Sequence, residues 1–300
     1  MSMTHVATLI SGAGSSALDD AALSAASRTL RAAGAPEWLD EGNAADIAFD
    51  PGTEIDTRAI ADQVRRELAS RPIDVVVQPI ADRRKRLFVT DMDSTMIGQE
   101  CIDELADMVG LKAQVAAMTE RAMRGEIAFE PALRERVGLL RGLPVTAIDE
   151  VIDARITLTP GARPLVQTMR ANGAYTCLVS GGFTLFAGRI AAMIGFDEHR
   201  ANRLIVANGR LAGLVDEPIL GAEAKLATLR ELTGRLGLKG AQTLAAGDGA
   251  NDLEMLTAAG LGVAYRAKPR VAASAAGRID YGDLTALLYL QGYRRGEFVE

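Results

Sequence analysis

The stretch LFVTDMDSTMIGQE, Leu87 to Glu100, decides how the chain is read. Its first four residues are apolar or β-branched, as in a strand buried on both faces. The run then breaks into Asp91-Met92-Asp93-Ser94-Thr95, and Glu100 closes the stretch. Two aspartates one residue apart therefore stand where a buried strand surfaces. Aspartate, serine and threonine in that position also serve as ordinary helix N-caps, so the stretch acquires chemical meaning only with what surrounds it.

Two similar strands follow downstream. AYTCLVS (Ala174–Ser180) ends in Ser180-Gly181-Gly182, and TLAAGDG (Thr243–Gly249) leads into Asp248, Asn251 and Asp252. Helical patterns lie between them. GARPLVQTMRANG (Gly161–Gly173) closes on Asn172-Gly173, a helix-stop signal. A second helix carries Leu226, Leu229, Leu232 and Leu236 at spacings of three and four. Strands alternating with helices predict a parallel, Rossmann-like α/β sheet. RLIVANGRLAGLV (Arg203–Val215) interrupts the alternation, because two apolar runs around Asn208-Gly209 read as a hairpin. Residues from about 97 to 157 show no convincing strand and read as a helical insertion.

Residues 1–82 form a separate α+β pattern. HVATLIS and IDVVVQPI read as strands, and two amphipathic helices turn Leu23, Ala26 and Leu30, then Ile60, Val64 and Leu68, inward. PEWLDEGNAADIAFD supplies one or two further strands, for an order β-α-β-β-α-β. The basic run ADRRKR (Ala81–Arg86) reads as a solvated linker in an otherwise acidic chain. The boundary between the two units, 1–82 and 83–300, is placed there. SGAGSSA (Ser11–Ala17) imitates a dinucleotide fingerprint, with Glu37 and Asp40 downstream. The shortness of the unit and the weak, polar strand that follows argue against that reading.

Composition narrows the chemistry. With 300 residues, 48% hydrophobic and 24% charged, the chain is globular and has room for two cores. A net charge of −6 gives no footprint for nucleic acid or an anionic membrane surface. No apolar run approaches the roughly 18 residues a membrane span needs, and the N-terminus lacks a basic region before its apolar run. Two cysteines, Cys101 and Cys177, make no disulfide framework and fit a reducing cytoplasm. The two histidines, His5 and His199, leave little room for histidine-based centres. Neither cysteine opens a Cys-x5-Arg loop, and no serine sits in Gly-x-Ser-x-Gly. The remaining chemistry rests on carboxylates, hydroxyls and lysine.

In an open parallel sheet, ligands gather beyond the carboxyl ends of the strands. Three polar clusters fall there and bring several acids together. Crowded carboxylates repel, so a hard divalent cation suits them. Neighbouring small residues leave backbone N–H groups free for an anion. The residues alone thus point to a Mg2+-dependent site for a phosphate group.

DMDST resembles the first motif, Asp-x-Asp-x-Thr, of the haloacid dehalogenase-like hydrolases. LVSGG resembles their second, Lys225 their third, and GDGANDLEML their fourth. Within that superfamily, DMDSTMIGQE, LVSGGFT, RLIVANGRLAG and GDGANDLEML are most similar to the phosphoserine phosphatase family. The resemblance spans about residues 85–290 and implies a phosphatase acting on O-phospho-L-serine in serine biosynthesis. It implies Asp91 as nucleophile and Asp93 as acid and base. It also implies Mg2+ held by Asp91, the Asp93 backbone carbonyl and Asp248, with Asp252 in the outer shell. Ser180, Gly181 and Gly182 would hold phosphoryl oxygens, and Lys225 would neutralise charge there. Glu100 would meet the substrate ammonium and Arg136 its carboxylate, with Arg134 and Arg141 as competitors by spacing. Met123 and Phe129 would form an apolar wall, and Asn251 would touch phosphate or substrate.

The alternatives keep the site but take another small phosphomonoester, transfer the phosphoryl group to an alcohol, or act as a phosphate-accepting signalling receiver. The first 82 residues resemble an ACT-like amino-acid-sensing domain, but SGAGSSALDD departs from that family's Asp-x-x-Gly loop. Effector binding, a homodimer through this unit and simple stabilisation all remain open on the sequence.

Overall fold

The computed structural model describes residues 3–12, 14–31, 34–52, 55–68, 71–124 and 126–300, leaving aside the side chain of Met123. The N-terminal unit runs β1 (His5–Ser11), α1 (Asp20–Thr29), β2 (Glu37–Asp40), β3 (Ala44–Phe49), α2 (Thr57–Glu67) and β4 (Ile73–Pro79). That is the order read from the sequence, with two strands where one or two were expected. Aspartates open both helices: Asp19 accepts from the Ala22 N–H, and Asp56 from those of Arg58 and Ala59. The sheet order is β2-β3-β1-β4, the split β-α-β arrangement. β1 lies antiparallel to both neighbours, so no parallel β-α-β crossover exists for a dinucleotide at Ser11–Ala17. Ala13 of that stretch lies outside the described residues.

The second unit begins with β5 (Leu87–Thr90) and passes through α3 (Cys101–Asp107), α4 (Lys112–Met123), α5 (Phe129–Leu139), α6 (Thr146–Arg155) and α7 (Ala162–Ala171). It continues with β6 (Tyr175–Phe183), α8 (Thr184–Ile194), β7 (Glu198–Asn202), β8 (Leu204–Ala207), β9 (Arg210–Val215) and α9 (Ala222–Arg235). The chain ends with β10 (Thr243–Gly247), α10 (Leu253–Ala258), β11 (Leu261–Tyr265), α11 (Pro269–Ala272), β12 (Gly277–Ile279) and α12 (Ala286–Leu290). Six parallel strands form one sheet in the order β12-β11-β10-β5-β6-β7. The chain builds outward from β5 through β6 to β7, then returns to the other side of β5 with β10. The crevice therefore opens where the order reverses, between β5 and β10. The sequence reading does not include β7, β11 or β12.

The expected insertion is present as α3–α6. The β8–β9 hairpin does not join the sheet but extends this insertion. The Gly142 N–H donates to Leu211 O at 2.8 Å and the Val145 N–H to Gly209 O at 3.0 Å. Pro144 also forms a bridge with Arg210. The hairpin's turn thus anchors the far end of the helical layer.

The basic run does not behave as a solvated linker. Lys85 is buried, and its ammonium donates to Asp82 O and Ala241 O. Arg83 forks onto Asp46 of β3 at 2.5 and 2.8 Å, and donates to the Leu290 and Tyr289 carbonyls of α12. It fastens the two units together. Alternation along the N-terminal strands explains the docking. Ala7, Leu9, Ala45, Ile47, Val75 and Val77 face α1 and α2, whereas Ile10, Ala44 and Val76 join the core of the second unit. Both faces of this sheet are buried along β1 and β4, and the polar residues there, Thr8, Asp74 and Gln78, are all hydrogen-bonded. Asp74 completes the joint by accepting the Asp280 and Gly282 N–H groups, each at 2.8 Å. No helix among the described residues is long and apolar enough to cross a membrane.

Removing one partner of a buried ion pair leaves the other uncompensated, at a cost of about 3 kcal/mol or more. Arg83→Ala should lower stability to chemical denaturation by about that amount. A loss below about 1 kcal/mol, the scale of an exposed pair, would show that the fork holds nothing together.

Candidate active site

β5 lies between β10 and β6, so the loops after these three strands meet at one edge of the sheet. They bring together the three polar clusters read from the sequence. Asp91 and Asp93 leave β5, Ser180-Gly181-Gly182 end β6, and Asp248 follows β10 with Asp252 one short helical turn later. α9 adds Lys225, buried at 1% exposure.

Lys225 sits between two acids, with its ammonium 2.7 Å from Asp91 Oδ2 and 2.7 Å from Asp252 Oδ1. The other Asp91 oxygen accepts the Met92 N–H at 2.7 Å, so both carboxylate oxygens have fixed directions. Asp252 also accepts the Gly249 N–H, and it packs where a Cβ on Gly247 would stand. Only glycine at 247 admits that carboxylate. Thr95 donates toward Asp248 at 3.3 Å.

One cavity of about 300 Å³ opens above these groups. Asp91, Asp93, Glu100, Phe129, Arg136, Ser180, Gly181, Gly182 and Asn251 all line it. Asp93 accepts the Cys101 N–H at 2.8 Å and the Ser180 hydroxyl at 3.1 Å. Glu100 stands at the head of α3 and accepts the Ser94 hydroxyl at 2.7 Å. Ser94 holds a left-handed φ of 55°, an uncommon conformation for a residue with a side chain. Arg136 reaches the cavity from α5 and is 4% exposed, whereas Arg134 pairs with Glu217 at the surface. Arg141 packs against Gly213 and does not line the cavity. Of the three arginines, the cavity selects Arg136. The Phe129 ring lies against Gly181, where an added Cβ would meet it at 3.1 Å. The Asn251 side-chain oxygen is buried without a partner among the described residues. The Met123 side chain lies outside the described residues.

Five carboxyl groups (Asp91, Asp93, Glu100, Asp248, Asp252) meet two cations (Lys225, Arg136) here. The imbalance is visible in their protonation. Burial, then the charges of Asp91 and Asp252, push Asp248 up to about 8. Burial, then Asp91, push Asp252 up to about 7. Asp93 is pushed up to about 6, mainly by burial. Glu100 is driven well above the usual carboxylate range by burial and then by Asp93. Burial works against the Lys225 ammonium, but Asp252 and Asp91 outweigh it and hold it above the ordinary lysine value. Ligand atoms of Asp91, Asp248 and Asp252 lie within 4.8 Å of one another. An all-oxygen set short of positive charge fits a hard divalent cation.

A family model for haloacid dehalogenase-like hydrolases matches residues 88–257. A phosphoserine phosphatase from a Polaromonas species is 50% identical over 210 residues, covering 68% of this chain and 89% of that one. The chain belongs to the phosphoserine phosphatases of that family. A solved haloacid dehalogenase family hydrolase from Salmonella enterica serovar Typhi superposes with a TM-score of 0.84 at 28% identity. It covers 96% of this chain and 98% of that one, so both units recur together. A substrate-bound phosphoserine phosphatase superposes with a TM-score of 0.65 at 38% identity, over 69% of this chain and 98% of that one.

Sequence reasoning missed the groups that orient the phosphatase site from behind. These are Asp103 and Thr119 behind Arg136, and Asn202, whose amide donates to Gly181 O at 2.8 Å; Ser94 stands in the first polar cluster, but the sequence does not show its bond to Glu100. No local signal marks them, because each is defined by a partner on another element or across a strained turn.

The raised carboxyls predict how stability varies with pH. Folded Asp248 and Asp252 keep their protons to about 8 and 7, whereas the unfolded chain releases them near 4. Their contribution is full below about pH 4 and is lost as the pH rises through 7 and 8. In chelator-treated protein, the part of the melting temperature set by these groups should therefore fall between about pH 5 and pH 8. Added Mg2+ should raise the melting temperature most at the upper end. No cation effect, or an effect largest at low pH, would contradict this charge balance.

Proposed function

We propose that the chain hydrolyses O-phospho-L-serine to L-serine and phosphate through an aspartyl-phosphate on Asp91. One observation carries this reading. A cavity lined by an aspartate pair and the Ser180-Gly181-Gly182 turn also holds a carboxyl, Glu100, and a buried guanidinium, Arg136, that lack ion-pair partners among the described residues. A substrate ammonium would relieve the uncompensated Glu100, and a substrate carboxylate would meet Arg136. Its relatives include phosphoserine phosphatases, one of them solved with substrate bound, in agreement with this substrate.

The surroundings of each residue support the role proposed for it. Asp91 attacks phosphorus, with Met92 N–H and Lys225 holding its two oxygens. Asp93, its carboxyl pushed up to about 6 mainly by burial, gives its proton to the leaving serine alkoxide. It then takes a proton from the water that attacks the aspartyl-phosphate, which frees phosphate and restores Asp91. Ser180 and the backbone N–H of Gly181 would hold phosphoryl oxygens, joined by the Gly182 N–H once it turns from Ser180 Oγ, to which it donates at 2.8 Å, and Asn251 would donate through its NH2. Phe129 would exclude water over that turn, with Met123 assigned to the same wall by resemblance. Asp91, the Asp93 backbone carbonyl and Asp248 would hold Mg2+, with Asp252 behind them. Bound there, the ion would neutralise the carboxylates and the charge that builds on the phosphoryl oxygens.

We read the N-terminal unit as ACT-like on its element order, with a homodimer through it as one use, and the chain as cytoplasmic.

Asp91→Asn should abolish phosphate release while the melting transition survives. Turnover by that variant would remove Asp91 as nucleophile. Arg136→Ala should reduce kcat/KM for phosphoserine by at least about tenfold more than for a phosphomonoester lacking a carboxylate. Equal losses on both would move the carboxylate clamp elsewhere.

A further inference from the structure

Arg136 does not stand alone in the insertion. Its Nε donates to Ala132 O at 3.1 Å, and its Nη1 donates to Thr119 Oγ1 at 2.9 Å. Thr119 donates in turn to Asp103 Oδ1 at 2.8 Å. The three residues come from α5, α4 and α3, and all are buried. Nη2 makes no hydrogen bond among the described residues, and no carboxylate comes within ion-pair distance of this guanidinium.

The hydroxyl has one proton and two acceptors in reach, Asp103 Oδ1 and its own helix's Val115 O at 3.0 Å. A carboxylate is the stronger acceptor. Donating to Asp103 turns a Thr119 lone pair toward Arg136, so each hydrogen bond polarises the next. A carboxylate bonded directly to Arg136 would occupy the fork that a ligand needs. Set one hydroxyl behind it, Asp103 supplies counter-charge while Nη2 of this cavity-lining arginine keeps no hydrogen-bond partner among the described residues. A buried polar chain is a poor way merely to join three helices, because apolar side chains do so at lower desolvation cost. What the chain adds is direction.

We propose that Asp103 and Thr119 are positioning residues that aim Arg136 at the substrate carboxylate, so that the Asp103–Thr119–Arg136 relay sets the preference for amino-acid phosphomonoesters over decarboxylated ones. The inference rests on the reading of Arg136 as the carboxylate clamp.

The test is steady-state kinetics of the full chain with Mg2+ on phosphoserine and on O-phosphoethanolamine, which keeps the ammonium and lacks the carboxylate. The readout is the ratio of the two kcat/KM values. Thr119→Val keeps the volume and removes both hydrogen bonds; the ratio should fall by about tenfold, mainly through the phosphoserine KM. Thr119→Ser restores the hydroxyl and should hold the ratio within about twofold of the parent. Asp103→Asn should fall between them, and it carries the test should the valine variant not fold. An unchanged ratio in Thr119→Val and Asp103→Asn, beside a collapsed ratio in Arg136→Ala, would overturn the relay and leave the clamp standing. Failure of serine to rescue would also overturn it. An unchanged ratio in Arg136→Ala would remove the clamp and the relay together.

Discussion

The Lys225 ammonium, pinned between Asp91 and Asp252, is the interaction on which the site depends. It lets buried carboxylates share one edge of a sheet, and it does so incompletely. One lysine cannot balance Asp91, Asp248 and Asp252, so the remaining acids retain protons or require a cation. That shortage is useful. A centre already neutral would have no attraction for a divalent ion or for the phosphate dianion it accompanies. The same logic extends up the cavity wall, where Glu100 and Arg136 remain uncompensated by each other. On the proposed reading, the site suits a zwitterionic phosphate ester because its charges are unsatisfied in the matching pattern.

Fold geometry makes this crowding affordable in only one place. β5 is the strand from which the chain builds in both directions, so its carboxyl end is flanked by the loops after β6 and β10. Residues far apart in sequence become neighbours without any long loop. The insertion hangs from the end of β5, so Glu100, Phe129 and Arg136 cover the same crevice from above. The N-terminal unit lies elsewhere, fastened by Arg83 and Asp74 through a face of its sheet that would otherwise be wet.

How much was legible in the sequence follows from where the information resides. Asp91, Asp93, Ser180, Asp248 and Asp252 lie in short runs at or just after strand ends, where residue type and local order suffice. Lys225 was legible only by motif order, since a helix lysine alone says nothing. Arg136 could not be separated from Arg134 and Arg141 by spacing; burial and the Glu217 partner of Arg134 separate them. The basic run misled because charge density describes exposure only on average, and Asp46 lies on a strand far back in sequence. β7, β11 and β12 were missed because their segments are short, or mix polar residues with apolar ones, and their pairing partners define them. The hairpin was read correctly, but its docking on the insertion is tertiary. The Thr119 and Asp103 contacts are of the same kind.

The most direct measurement is acid quenching of the enzyme during turnover of phosphoserine, followed by peptide mapping by mass. The account predicts a phosphoryl adduct on the peptide containing Asp91, labile to hydroxylamine as an acyl phosphate, and absent from Asp91→Asn. Phosphate release at full rate with no adduct, or an adduct on any other residue, would contradict it.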